Sequence, residues 1–239
     1  MKKRQTGFYG STRLWVRTRW GEKSEFSATE PDLRLCEREM KSEKINKRID
    51  EFWKWFRSVA EMLAANVESP ALVAELDSRL RALAPDLSWE LGPGLFSPCQ
   101  LVISPDLDRD RREEARATVA RAPVLPSWEF HSSRQPKEWD YKVELDTGER
   151  TESLDASSWR FVLLQHPDGA HEILIKGNNI SRLDDKERWQ AAAIVLESIL
   201  GEDALLDRID EFELVDQFEA PFTARGRPIQ ELREAIMGS

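Results

Sequence analysis

The stretch from Trp159 to Lys176 constrains the fold more than any other. Trp159-Arg160-Phe161-Val162-Leu163-Leu164 and Ile173-Leu174-Ile175 flank Pro167-Asp168-Gly169-Ala170. Asp-Gly accepts the positive φ that a tight hairpin turn needs. With Asp168 and Gly169 at the centre of that turn, 167 pairs with 170 and His166 with His171. The register then sets Val162, Leu164, Ile173 and Ile175 on one face. Trp159, Phe161, Leu163 and Leu174 take the other. Both faces are apolar and both need cover, so the hairpin is expected at the centre of its sheet.

Helices that can supply this cover are written on either side. Ile45, Ile49, Phe52, Trp53, Phe56, Val59, Ala60 and Leu63 recur at three- and four-residue spacing, which predicts a helix of about five turns. Ser69-Pro70 starts a second, with Leu72, Val73, Leu76, Leu80 and Leu83 on its buried face and Pro85 beyond its end. Leu87 to Leu91 and Cys99 to Ser104 read as strands on either side of Gly92-Pro93-Gly94. A charged helix over roughly 107–121 and a strand from Ser127 to His131 follow. The second half repeats this order. Tyr141 to Leu145 reads as a strand, and the hairpin comes next. A helix capped by Asp184 then carries Trp189, Ala192, Ala193, Leu196, Ile199 and Leu200 up to Gly201. A strand near 209–215 and a last helix with Ile229, Leu232 and Ile236 complete it. Trp53 and Trp189 are expected on core faces.

The expected fold is therefore α+β, a mixed or antiparallel sheet with helices packed on one side, built as two β-β-α-β pseudo-repeats. The halves span residues 44–132 and 140–237, joined through the polar stretch 133–139 into one compact unit. Residues 1–40 lack helical periodicity and are expected to be a mostly disordered extension, with Met40 an alternative natural start.

Charge narrows the function classes. Residues 1–40 hold nine Lys/Arg and six Asp/Glu, which leaves 26 and 38 in the remainder, a net −12. A chain of net charge −9 is a poor partner for nucleic acid or an anionic membrane. An acidic surface suits a basic protein instead. No apolar run approaches the ~20 residues of a membrane span. Cys36 and Cys99 cannot build a disulfide framework or a cysteine-based zinc site. No apolar segment follows Met1-Lys2-Lys3-Arg4, as a secretion signal would require. The expected location is a reducing cytoplasm.

Several segments together resemble a group of uncharacterised bacterial proteins. They are Phe52-Trp53-Lys54-Trp55-Phe56, the run from Leu80 to Pro93, Leu101 to Ser104, Ala122 to Trp128, and Leu200-Gly201-Glu202. The resemblance implies a compact α+β protein and brings no catalytic residues with it.

Candidate chemistry is sparse. Paired across the hairpin, the His166 and His171 rings would face one side, close enough to share a metal with Asp168. That pair defines the enzymatic alternative, a metal-assisted hydrolase. No G-x-S-x-G supports a serine nucleophile, and Gly92-Pro93-Gly94 lacks the amide run and Lys-Ser/Thr of a phosphate loop. Cys99 has no histidine in local reach, so it reads as a buried thiol. No cofactor is implied. The leading expectation is a non-enzymatic protein-binding module, of which an immunity protein is one form. Trp55, which lies off its helix's apolar stripe, and Trp139 are the candidate partner-binding residues.

Overall fold

A computed structural model describes residues 30–146, 150–167 and 171–238. Asp168 and the segment 1–29 lie outside the described residues. The chain divides into two units, residues 1–50 and 51–239. All the strands described below belong to the second. Among the described residues no helix is long and apolar enough to cross a membrane.

Helix α1 runs from Glu30 to Ala65. It starts well before Ile45, so residues 30–40 are helical where a mostly disordered extension was expected. The run from Glu30 to Lys44 is rich in Glu, Lys, Arg and Leu, strong helix formers that need no apolar stripe. Within the second unit, Phe52, Trp53 and Phe56 are buried; Trp53 packs edge-on against Phe130, and Phe56 against both Trp128 and Phe130. Both indole N–H groups are satisfied. Trp53 Nε1 donates to the Thr118 carbonyl (2.7 Å) and Trp128 Nε1 to the Ala60 carbonyl (3.1 Å). Helix α2 (Pro70–Leu83) follows, with Leu76 and Leu80 buried.

The two halves share one topology. In the first, β1 (Ser88–Gly92) pairs antiparallel with β2 (Cys99–Ser104), and α3 (Arg112–Val119) crosses to β3 (Trp128–His131), parallel to β2. In the second, β6 (Arg160–Gln165) pairs antiparallel with β7 (His171–Lys176). Helices α4 (Asp185–Leu200) and α5 (Glu202–Arg208) then cross to β8 (Glu211–Val215), parallel to β7. The β-β-α-β order is thus present twice. Strand β9 (Arg227–Pro228) adds to β6, giving the order β8-β7-β6-β9, so the hairpin is central as expected. Pro228 is tolerated there because an edge strand has a side without partners. Helix α6 (Leu232–Met237) buries Leu232 and Ile236. Asp184 and Glu187 form a capping box at the start of α4.

Four details depart from the sequence reading. The hairpin register is shifted by one: Gln165 pairs with His171 and Phe161 with Ile175. The core face is therefore Phe161, Leu163, Ile173 and Ile175, and Leu164 lies opposite Glu172, half-buried. A one-residue slip exchanges the faces, and the expected turn centre at 168–169 lies outside the described residues. The strand expected from Tyr141 is β4 (Lys142–Asp146), but it pairs only with β5 (Thr151–Asp155), in a separate two-stranded sheet. Strand β5 escapes a pattern search because Leu154 is its only large apolar residue. Helix α3 is shorter than 107–121, because Asp106 and Leu107 take left-handed backbone (φ 56° and 62°) and a 3-10 turn over Arg109–Arg111 precedes it. Trp189 is 49 % exposed rather than core, since Ala191, Ala192, Val195 and Leu196 already fill the buried face of α4.

Candidate functional site

The left-handed pair Asp106–Leu107 stands at the carboxyl end of β2 and opens a cavity of 320 Å³ against β4 and α4. Non-glycine residues adopt this backbone at a cost, and such positions cluster at functional sites. Here the cost is met by hydrogen bonds. Ser104 Oγ accepts from Asp106 N (2.9 Å), and Glu202 Oε1 accepts from Leu107 N (2.9 Å).

Arg134, from the segment joining the halves, crosses the cavity. Its Nε donates to Glu90 (2.6 Å), its Nη1 to Glu197 (3.1 Å), and its Nη2 to Asp106 (2.9 Å) and Ser88 Oγ (2.8 Å). Glu202 lies beneath, wholly buried, 3.8 Å from the guanidinium. Burial works against the Arg134 charge, but Glu197, Asp106, Glu90 and Glu202 outweigh it and hold its pKa above the ordinary value. Burial also acts on Glu197, whose carboxyl is pushed up to about 7; Arg134 opposes the rise and Glu202 adds to it.

With Glu144 and Asp146 from β4, five carboxylates line the cavity against the single guanidinium of Arg134. Trp189 also borders it. Its exposed indole is braced by Phe212 at 5.6 Å between ring centroids and offers a π face to a cation. The arrangement suits a positively charged group. Among the described residues no group of three or more His, Cys, Asp or Glu side chains is placed to hold a metal ion.

The chain matches no protein-family model, no curated protein and no solved structure. The resemblance carried by Phe52 to Phe56 and Leu200 to Glu202 therefore adds no functional residue, and the geometry alone must carry the reading.

The residues singled out from sequence fall elsewhere. With Gln165 opposite His171, His166 leaves the paired strands, and its Nε2 lies 3.2 Å from Glu172 Oε2. His171 is tied through its backbone N–H to Asp210 (3.1 Å). The register does not set the two imidazoles opposite each other. Trp55 is half-buried under the Arg79 guanidinium of α2, 4.6 Å from the ring centroid. That contact and the covered ring area make Trp55→Ala cost about 1–2 kcal/mol, read as a lowered urea midpoint. An unchanged midpoint would show that the ring contributes nothing to α1–α2 packing. Trp139 is half-buried, with its ring 5.2 Å from that of Tyr141.

Arg134, Glu197 and Glu202 were not read from the sequence as a site. One signal was present: Glu202 follows Gly201 directly, at the junction of two helices. An acid placed there lies at the first turn of the second helix.

Proposed function

We propose that this protein is a non-enzymatic protein-binding module that takes a basic side chain of its partner into the Arg134 cavity. The observation that carries this is the carboxylate-rich lining, with Glu90, Asp106, Glu144 and Glu197 beside the one guanidinium of Arg134, around a space of 320 Å³. An entering guanidinium or ammonium meets Glu144 on β4 and the face of Trp189 at the rim. Arg134 is already engaged by Glu90, Asp106 and Glu197, so it organises the wall and is not the cation the site lacks. The net charge of −9 steers a basic partner toward this surface. An immunity protein that masks a basic toxin surface is one form of such a module. The buried thiol of Cys99 suits a cytoplasmic location.

The test is calorimetric titration with N-acetyl-arginine amide, and with N-acetyl-glutamine amide as the uncharged control. The arginine compound is expected to bind in the range of about 1–10 mM, as a lone side chain should. Glu144→Gln and Trp189→Ala should each weaken it at least about threefold. Equal binding of the two amides, or indifference to both substitutions, would remove the reading.

A further inference from the structure

A second cavity, of 540 Å³, opens where the segment after Arg134 passes α4 and α6. Its volume lies within the range of small-molecule sites. Trp139 and Tyr141 form one wall, their rings 5.2 Å apart and inclined at 36°. Ile199 adds apolar surface. Tyr141 is held in left-handed backbone (φ 62°), with its carbonyl accepting from Ala156 N at 2.8 Å. Bulky residues rarely adopt that conformation, and where they do the position is worth a functional question. Neither the Trp139 Nε1–H nor the Tyr141 hydroxyl is bonded to another described residue, so both remain to serve a ligand.

The charge here is opposite to that of the first cavity. Arg233 donates from Nη1 to the Ile199 carbonyl (3.0 Å), and among the described residues no carboxylate pairs with it. Lys137 is shared with Glu90 at 3.5 Å, and Glu138 supplies a single negative charge at the rim. One uncommitted guanidinium beside an aromatic wall fits a group with one negative charge and two coplanar oxygens. A phosphate monoester, with nearly two charges, would need a second uncommitted cation, and the Lys137 ammonium is already shared with Glu90.

We propose that this cavity binds a small aromatic carboxylate, its ring against Trp139 and Tyr141 and its carboxylate on Arg233. The site is separate from the Arg134 cavity and does not depend on the function assigned to it.

The experiment is calorimetric titration of the whole chain with 2-naphthoate, 2-naphthalenemethanol and acetate. Naphthoate should bind with a dissociation constant below about 1 mM, and the neutral alcohol and the ringless acid at least about tenfold more weakly. Arg233→Gln and Trp139→Ala should each weaken naphthoate at least about tenfold, while Trp189→Ala, at the other cavity, leaves it unchanged. If Arg233→Gln does not melt cooperatively, Arg233→Lys replaces it; that variant keeps the charge, loses the fork, and should bind at least about threefold more weakly. The proposal is overturned if the alcohol or acetate binds as well as naphthoate, or if the folded Arg233 variant binds normally. Sensitivity to Trp189→Ala, or failure to saturate by about 10 mM, overturns it equally.

Discussion

Glu202→Ala is expected to remove about 3–5 kcal/mol of folding stability, the range seen when one partner of a buried charged network is deleted. The carboxylate is wholly buried and fully used. Ser104 Oγ lies 2.8 Å from each oxygen, Leu107 N donates to one at 2.9 Å, and Arg134 N donates to the other at 2.9 Å. Alanine leaves these donors without an acceptor and releases the left-handed turn at Asp106 and Leu107. It also removes one of the charges that hold Arg134 in place. The damage spans both halves, because Ser104 ends β2 while Glu202 opens α5. The Glu202 N–H closes the loop by donating back to the Arg134 carbonyl at 2.8 Å. The neighbouring residue is the control. Asp203 pairs with Arg112 and Arg116 but its side chain is 44 % exposed, so Asp203→Ala should cost about 1 kcal/mol. Urea denaturation of the two variants separates the outcomes, and similar midpoints would show that burial of Glu202 contributes nothing special.

What the sequence made legible follows from how locally each signal is encoded. The doubled β-β-α-β order was readable because each element carries its own period and its own stop, as Asp184 and Gly201 do for α4. The hairpin register was not. Asp168-Gly169 named the turn, but the burial demands of Phe161, Ile173 and Ile175, all fully buried, set the pairing. Strand β5 was missed because one leucine cannot make a period. The site was least legible of all. Glu90, Asp106, Arg134, Glu197 and Glu202 come from five separate stretches, and each alone looks like an ordinary solvated charge. Only the folded chain brings Glu90, Asp106 and Glu197 within hydrogen-bonding distance of the Arg134 guanidinium and sets Glu202 3.8 Å from it. Trp139 was noticed as an aromatic without a stripe, yet its partner Tyr141 depends on a left-handed backbone that no composition rule predicts.

Stability is expected to peak near pH 5 and to fall as the pH rises to about 7, by at most about 3 kcal/mol. The descending limb belongs to Glu197. Its carboxyl titrates at about 7 in the folded chain against an ordinary 4.5, so between these values the folded state keeps a proton that the unfolded state has lost. That contribution is complete below about 4.5, declines as pH rises, and is gone above about 7. The acid limb has the opposite sign. Burial works against the Glu129 carboxylate, but the Leu95 and Phe96 N–H donors and His131 outweigh it and hold its pKa below the ordinary value. Arg112 lowers that of Asp207 in the same direction. Their stabilisation is present above the ordinary carboxylate range and is lost as pH falls through the depressed values. Glu197→Gln should flatten the descending limb and leave the acid limb intact. The same proton couples to binding: a cation entering the Arg134 cavity favours ionised Glu197, so below about pH 7 binding must release protons. Affinity for N-acetyl-arginine amide should therefore rise with pH and level off near 7, and heats measured in two buffers of different ionisation enthalpy count the protons. A flat melting midpoint between about pH 5 and 7.5, with no proton release on binding, would place Glu197 outside both the stability and the recognition of this site.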